Sequence, residues 1–89
     1  MNTVEQIREK LADLSPLSIS IKDDSDRHAG HPGAAGGGGH YRLEIVSARF
    51  SGLNRVARHR LIYGCLGEMM QRTIHALAID ARAPDEVEH

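Results

Sequence analysis

His40-Tyr41-Arg42-Leu43-Glu44-Ile45 is the stretch on which the fold turns. Tyr41, Leu43 and Ile45 alternate with His40, Arg42 and Glu44, the period of a strand buried on one face and wet on the other. Upstream, Leu17, Ile19 and Ile21 alternate with Ser18, Ser20 and Lys22 until the polar cluster Asp23-Asp24-Ser25-Asp26, which predicts a second such strand paired antiparallel with the first. Before it, residues 3 to 14 read as a helix with Val4, Ile7, Leu11 and Leu14 on one face, Thr3 as cap, Gln6 at the capping-box position, and Ser15-Pro16 as the stop. Downstream, Phe50-Ser51-Gly52-Leu53-Asn54 breaks the alternation, and Asn54 is positioned to cap a helix from about Arg55 to Arg72. Val56, His59, Ile62, Tyr63, Leu66, Met69 and Met70 share one broad face of that helix, while Leu61 and Cys65 fall on another, toward the first helix or a partner. Leu77 and Ile79 alternate with Ala78 and Asp80 in a third strand starting near His75, before Pro84 and a charged tail.

The order helix, strand, strand, helix, strand predicts an α+β fold in which helices cover one face of a three-stranded sheet. Its other face would carry Ser18, Ser20, Arg42, Glu44 and Asp80 and remain hydrated. A chain of 89 residues makes one domain, here residues 1–89, and 40% hydrophobic with 26% charged residues is enough to bury a core. A net charge of −1 provides no global attraction to nucleic acid or anionic lipid. One cysteine, Cys65, forms no internal disulfide and fits a reducing compartment, and no apolar run approaches the ~20 residues of a membrane span; a cytoplasmic protein, monomeric when alone, is expected.

Residues 24 to 39 hold His28, His31, Pro32 and six glycines with no apolar pattern to bury, and are expected to form a mobile loop. No nucleophile has a neighbouring base, and the glycine run lies between strands instead of opening a helix, so no catalytic residue is assigned. Cys65, Met69 and Met70 read as packing residues, as does His59. Arg49, Arg55, Arg58 and Arg60 form the one basic cluster, either a phosphate-binding patch or a solvated helix end paired with Glu and Asp.

Four stretches, Asp24-Ser25-x-x-His28-Ala29-Gly30-His31, Val46-Ser47-x-x-Phe50-x-Gly52, Arg58-His59-Arg60-Leu61-Ile62-Tyr63 and Ile74-His75-Ala76-Leu77, occur in the order and spacing of the BolA-like family, which the chain resembles along nearly its whole length. The resemblance implies a type II K-homology-like topology and an adapter that binds a monothiol glutaredoxin around a shared 2Fe-2S cluster, for iron–sulfur trafficking or iron sensing. It implies that His75 is the C-terminal metal-binding histidine and His28 the loop ligand, with thiolates supplied by the glutaredoxin and glutathione. His31 and His40 rival His28, since one loop presents all three. The insertion of Ala34-Ala35 and four glycines departs from the family where its length varies. Some members are described as transcriptional regulators, which would use Arg49, Arg55, Arg58 and Arg60 on DNA; Ser51-Gly52-Leu53-Asn54 lacks the second glycine of a Gly-x-x-Gly backbone clamp, and 3% aromatic residues make no stacking platform.

Overall fold

A computed structural model describes residues 2–24 and 39–87. Of the mobile loop expected at 24–39, residues 25–38 lie outside them, while Asp24 is described and Gly39 begins a strand. The elements are α1 (Thr3–Leu11), β1 (Ser18–Asp23), β2 (Gly39–Val46), α2 (Arg55–Leu66), α3 (Met69–Arg72) and β3 (Ile74–Arg82), with 3-10 turns at Ala12–Leu14, Ala48–Phe50 and Pro84–Glu86. The three strands form one sheet in the order β1-β2-β3, antiparallel between β1 and β2 and parallel between β2 and β3. The parallel pair requires a crossover, which α2 and α3 supply. The α+β architecture read from the alternating patterns is the one found.

The core lies between the helices and one sheet face. Ile7, Leu11 and Leu14 meet Tyr41, Leu43 and Ile45 of β2, Ile62 and Leu66 of α2, and Phe50 and Ile74. Each aliphatic or aromatic side chain so enclosed stabilises the fold by roughly 1.5–3 kcal/mol relative to exposure. Phe50, which interrupts the strand pattern in the sequence, is fully buried, carried inward by the 3-10 turn that follows β2. Ser47 starts that turn. Its buried Oγ donates to the Leu14 carbonyl at 2.5 Å and accepts from the Arg49 N–H at 3.1 Å, tying the end of β2 to the first helical segment.

Several local expectations are corrected. The cap of α1 is Asn2, whose Oδ1 accepts from the Glu5 N–H, so the helix begins one residue earlier in its capping frame than Thr3 would set it. Leu17 is 70% exposed and precedes β1 instead of sharing its buried face. The long helix from Arg55 to Arg72 is two helices, because Gly67 at φ 54 leaves the helical region and redirects the chain. Asn54 caps α2 as predicted, accepting from the Ala57 N–H. Val56 and Tyr63 do not belong to the buried face of α2 and are 59% and 41% exposed, whereas Leu61 and Cys65 pack against the core. At 100° per residue this rotates the buried arc away from Val56 and toward Leu61, because α2 packs on α1 as well as on the sheet.

Candidate functional site

The start of β3 carries an irregularity that aims a histidine. Gly39 lies opposite Ile74, but the next residue of β2, His40, lies opposite Ala76, so His75 is an extra residue in the ladder. Strict alternation back from Leu77, which faces the helices, would turn His75 inward and Ile74 outward. The bulge reverses both. Ile74 enters the core at 3% exposure and His75 stands exposed on the surface. Bulges are a recurrent device for re-aiming a side chain at the rim of a sheet.

The residue that His75 meets is His40. Their ring centroids are 5.1 Å apart, with the planes inclined at 44°. Backbone hydrogen bonds on both sides hold β2 here: the Asp24 N–H donates to the His40 carbonyl at 2.8 Å, and the Gly39 N–H donates to the Thr73 carbonyl at 3.0 Å. Gly39 belongs to this ladder and not to the preceding loop. Its lack of a side chain is required, since a Cβ there would stand 2.5 Å from atoms of the Tyr41 ring, itself part of the core. Asp24 also pairs with Arg42 at 3.0 Å, fixing the end of β1 beside the site.

Two imidazoles on adjacent, hydrogen-bonded strands form a pre-set pair of nitrogen donors suited to a borderline metal such as zinc or iron. Among the described residues no group of three or more His, Cys, Asp or Glu side chains gathers, so this end of the sheet supplies two donors and not a full coordination shell. His28 and His31 lie outside the described residues. Cys65 is half-buried on α2, and burial, then the charge of Asp13, push its thiol up, with Arg49 opposing; it is a packed thiol and not a ready ligand.

The four arginines are not equivalent. Arg58 is largely enclosed, its side chain only 13% exposed. Its guanidinium donates to the Leu53 carbonyl at 2.9 Å, to the Ala81 carbonyl at 3.0 Å and to both carboxylate oxygens of Glu86. Arg58 therefore joins the start of α2, the end of β3 and the last 3-10 turn. Its donors face protein groups, so a phosphate-binding reading of the cluster is left with Arg49, Arg55 and Arg60, all exposed.

The family model described as "BolA-like protein" matches residues 11–86, a span that includes both histidines, the bulge and the Arg58 junction. The chain belongs to the BolA-like family. Among curated relatives of this BolA-like chain, "Protein BOLA1, chloroplastic" of Arabidopsis thaliana is 42% identical over 96% of the chain and 56% of the relative. "SufE-like protein 1, chloroplastic/mitochondrial" of the same plant is 43% identical over 92% of the chain and 24% of the relative. The chain thus spans about half or less of these two relatives. The solved structure of the BolA domain of SufE1 from Arabidopsis thaliana superposes with a TM-score of 0.82 at 42% identity, covering 98% of this chain and 99% of that one. No helix of the described BolA-like domain is long and apolar enough to cross a membrane. The compartments in the relatives' names, chloroplast and mitochondrion, lend no support to a cytoplasmic location.

The alternation with Tyr41 already places His40 at the start of the strand, although it also counts with His28 and His31 as a histidine the loop could present; the structure puts it in β2. No signal in the sequence announced the bulge or the enclosure of Arg58.

Proposed function

We propose that this BolA-like domain is an adapter that binds a monothiol glutaredoxin and shares a 2Fe-2S cluster with it, serving iron–sulfur trafficking or iron sensing. The observation that carries the reading is the His40–His75 pair at the bulge. A cluster of this type takes four ligands, and histidine replaces cysteine at two positions in Rieske centres. Two nitrogen donors and no gathered thiolate among the described residues fit half of such a shell, with the glutaredoxin cysteine and glutathione contributing the sulfur. The occurrence of a BolA domain inside a longer SufE-like relative supports a module that works through attachment to other proteins.

Within this reading His75 is the principal ligand, held at a strand start by the bulge and by the burial of Ile74 beneath it. His40 is the second donor that the geometry favours, while His28 remains the one implied by family resemblance and His31 its neighbour in the same segment. When bound, the cluster would supply electron transfer or a transferable iron–sulfur unit; the domain's own residues bind and orient it.

The test is anaerobic reconstitution of the chain with a monothiol glutaredoxin and glutathione, read by visible absorption and circular dichroism. A spectrum distinct from that of the glutaredoxin alone, lost in His75→Ala with the far-ultraviolet spectrum intact, is the expected result. His40→Ala, His31→Ala and His28→Ala then separate the candidates for the second ligand. Failure of the two proteins to associate, or an unchanged spectrum in all four variants, overturns the proposal.

A further inference from the structure

Among the described residues no strand pairs with the outer edge of β3, and its surroundings define what would pair with it. Val46 is in register with Arg82, and the Ser47 N–H donates to the Arg82 carbonyl at 3.0 Å, so the backbone groups of residues 76, 78, 80 and 82 point toward β2. Those of Leu77, Ile79 and Ala81 point away. The Ala81 carbonyl is taken by Arg58 at 3.0 Å, which leaves the outward N–H and C=O groups of Leu77 and Ile79 without a partner among the described residues.

Exposed edges are ordinarily blunted by lysine, proline, a bulge or a covering element. The other edge strand, β1, follows Pro16 and ends in Lys22-Asp23. β3 carries Ala76-Leu77-Ala78-Ile79, with no charge in the run, its bulge before it and Pro84 after it. Ala76 and Ala78 are exposed on the open sheet face and too small to obstruct a neighbouring strand.

On the helical side, a cavity of about 360 Å³ separates this edge from the start of α2, lined by Asn54, Arg55, Arg58, His59, Ile79 and Glu86 among others. It is large enough to receive a side chain from an added strand. Its single carboxylate, Glu86, is already bonded to Arg58, whereas Arg55 is exposed and makes no ion pair among the described residues. The surplus charge facing an incoming segment is positive.

We propose that the β3 edge accepts an extended, acidic segment of a partner protein as a fourth strand. Main-chain hydrogen bonds to Leu77 and Ile79 supply the pairing, Arg55 at the rim of the cavity selects acidic side chains, and the guanidinium of Arg58 at Ala81 stops the strand at that end. This mode of recognition draws affinity from backbone pairing and specificity from flanking side chains. It is independent of the cluster reading, since none of these groups is a candidate ligand.

Amide hydrogen exchange on the isotopically labelled full chain tests it in two steps. In the free protein, the Leu77 and Ile79 amides exchange faster than those of Ala76, Ala78 and Asp80; protection of the first two would show the edge already covered and overturn the proposal. A capped peptide of about eight residues alternating Glu and Val is then added, and exchange at Leu77 and Ile79 is expected to slow by about tenfold or more at saturation. The variant Arg55→Glu, which removes no hydrogen bond or ion pair among the described residues, is expected to weaken binding roughly three- to fivefold, and a Lys-Val peptide does not bind. Absence of protection at these two amides with the acidic peptide refutes the proposal. So does equal displacement of the same resonances by a single-stranded oligonucleotide of matched charge, which would assign the surface to nucleic acid.

Discussion

Replacing Arg58 tests whether the basic cluster at the start of α2 is a binding patch or part of the frame. Arg58→Met keeps most of the apolar stem and removes the guanidinium. Two carbonyls then lose their partner, that of Leu53 at 2.9 Å and that of Ala81 at 3.0 Å, together with the fork onto Glu86. Hydrogen bonds to a charged group contribute about 1.5–3 kcal/mol each when enclosed. Both carbonyls lie near the surface, where water replaces part of the loss, so the expected destabilisation is about 2–4 kcal/mol, below the simple sum. For a domain of this size that lowers Tm by roughly 10–25 °C. Urea unfolding followed by circular dichroism, with the slope compared between proteins, separates this from a change in the unfolded state. Arg58→Lys sharpens the outcome, because an ammonium restores the charge but not the planar fork that reaches three acceptors at once, and most of the loss should persist. If Arg58→Met unfolds within about 0.5 kcal/mol of the parent, the residue is not a strut and the argument fails.

Ser47→Ala strands the buried Leu14 carbonyl and the Arg49 N–H, and should cost about 1–3 kcal/mol in the same unfolding assay. The Cys65 thiol, raised by burial and by Asp13, should react with iodoacetamide at neutral pH about an order of magnitude more slowly in the folded chain than in urea; equal rates would show it unshielded. The Arg58 hydrogen bonds, and then the Ala83 N–H, hold the Glu86 carboxyl below its ordinary value of 4.5. A carboxyl whose folded pKa is depressed contributes stability above its unfolded pKa and loses it as pH falls through the folded one. Acid titration of stability below pH 4.5 should therefore be shallower in Glu86→Gln than in the parent, and identical profiles would refute the coupling.

The alternating runs of β1, β2 and β3 announced themselves because a sheet covered on one face imposes a period of two on every strand, and Tyr41, Leu43 and Ile45 obey it without exception. Asn54 was legible as a cap for the same local reason. Gly67 was harder to read, since glycine inside an apolar helical stripe is tolerated or breaks the helix according to a φ value that the sequence does not display. Val56 and Tyr63 were misplaced because periodicity defines an apolar arc, while the side on which a second helix packs selects which part of it is buried. The candidate site divides similarly. His75 was singled out through motif resemblance, but its proximity to His40 depends on a register shift between strands distant in sequence. The enclosure of Arg58 depends on Leu53, Ala81 and Glu86 converging from three segments.

The parallel pairing of β2 with β3 also ties the histidine pair to the whole sheet. An antiparallel pair such as β1 and β2 needs only the segment that joins them, but β3 reaches its place beside β2 through the α2–α3 crossover. His40 belongs to β2 and His75 to β3, 35 positions further along the chain. The two rings come together only when the final strand docks, so a folding intermediate holding just the first two strands would lack the paired donors. If the proposed function holds, metal binding at this site would report that the whole sheet has been completed.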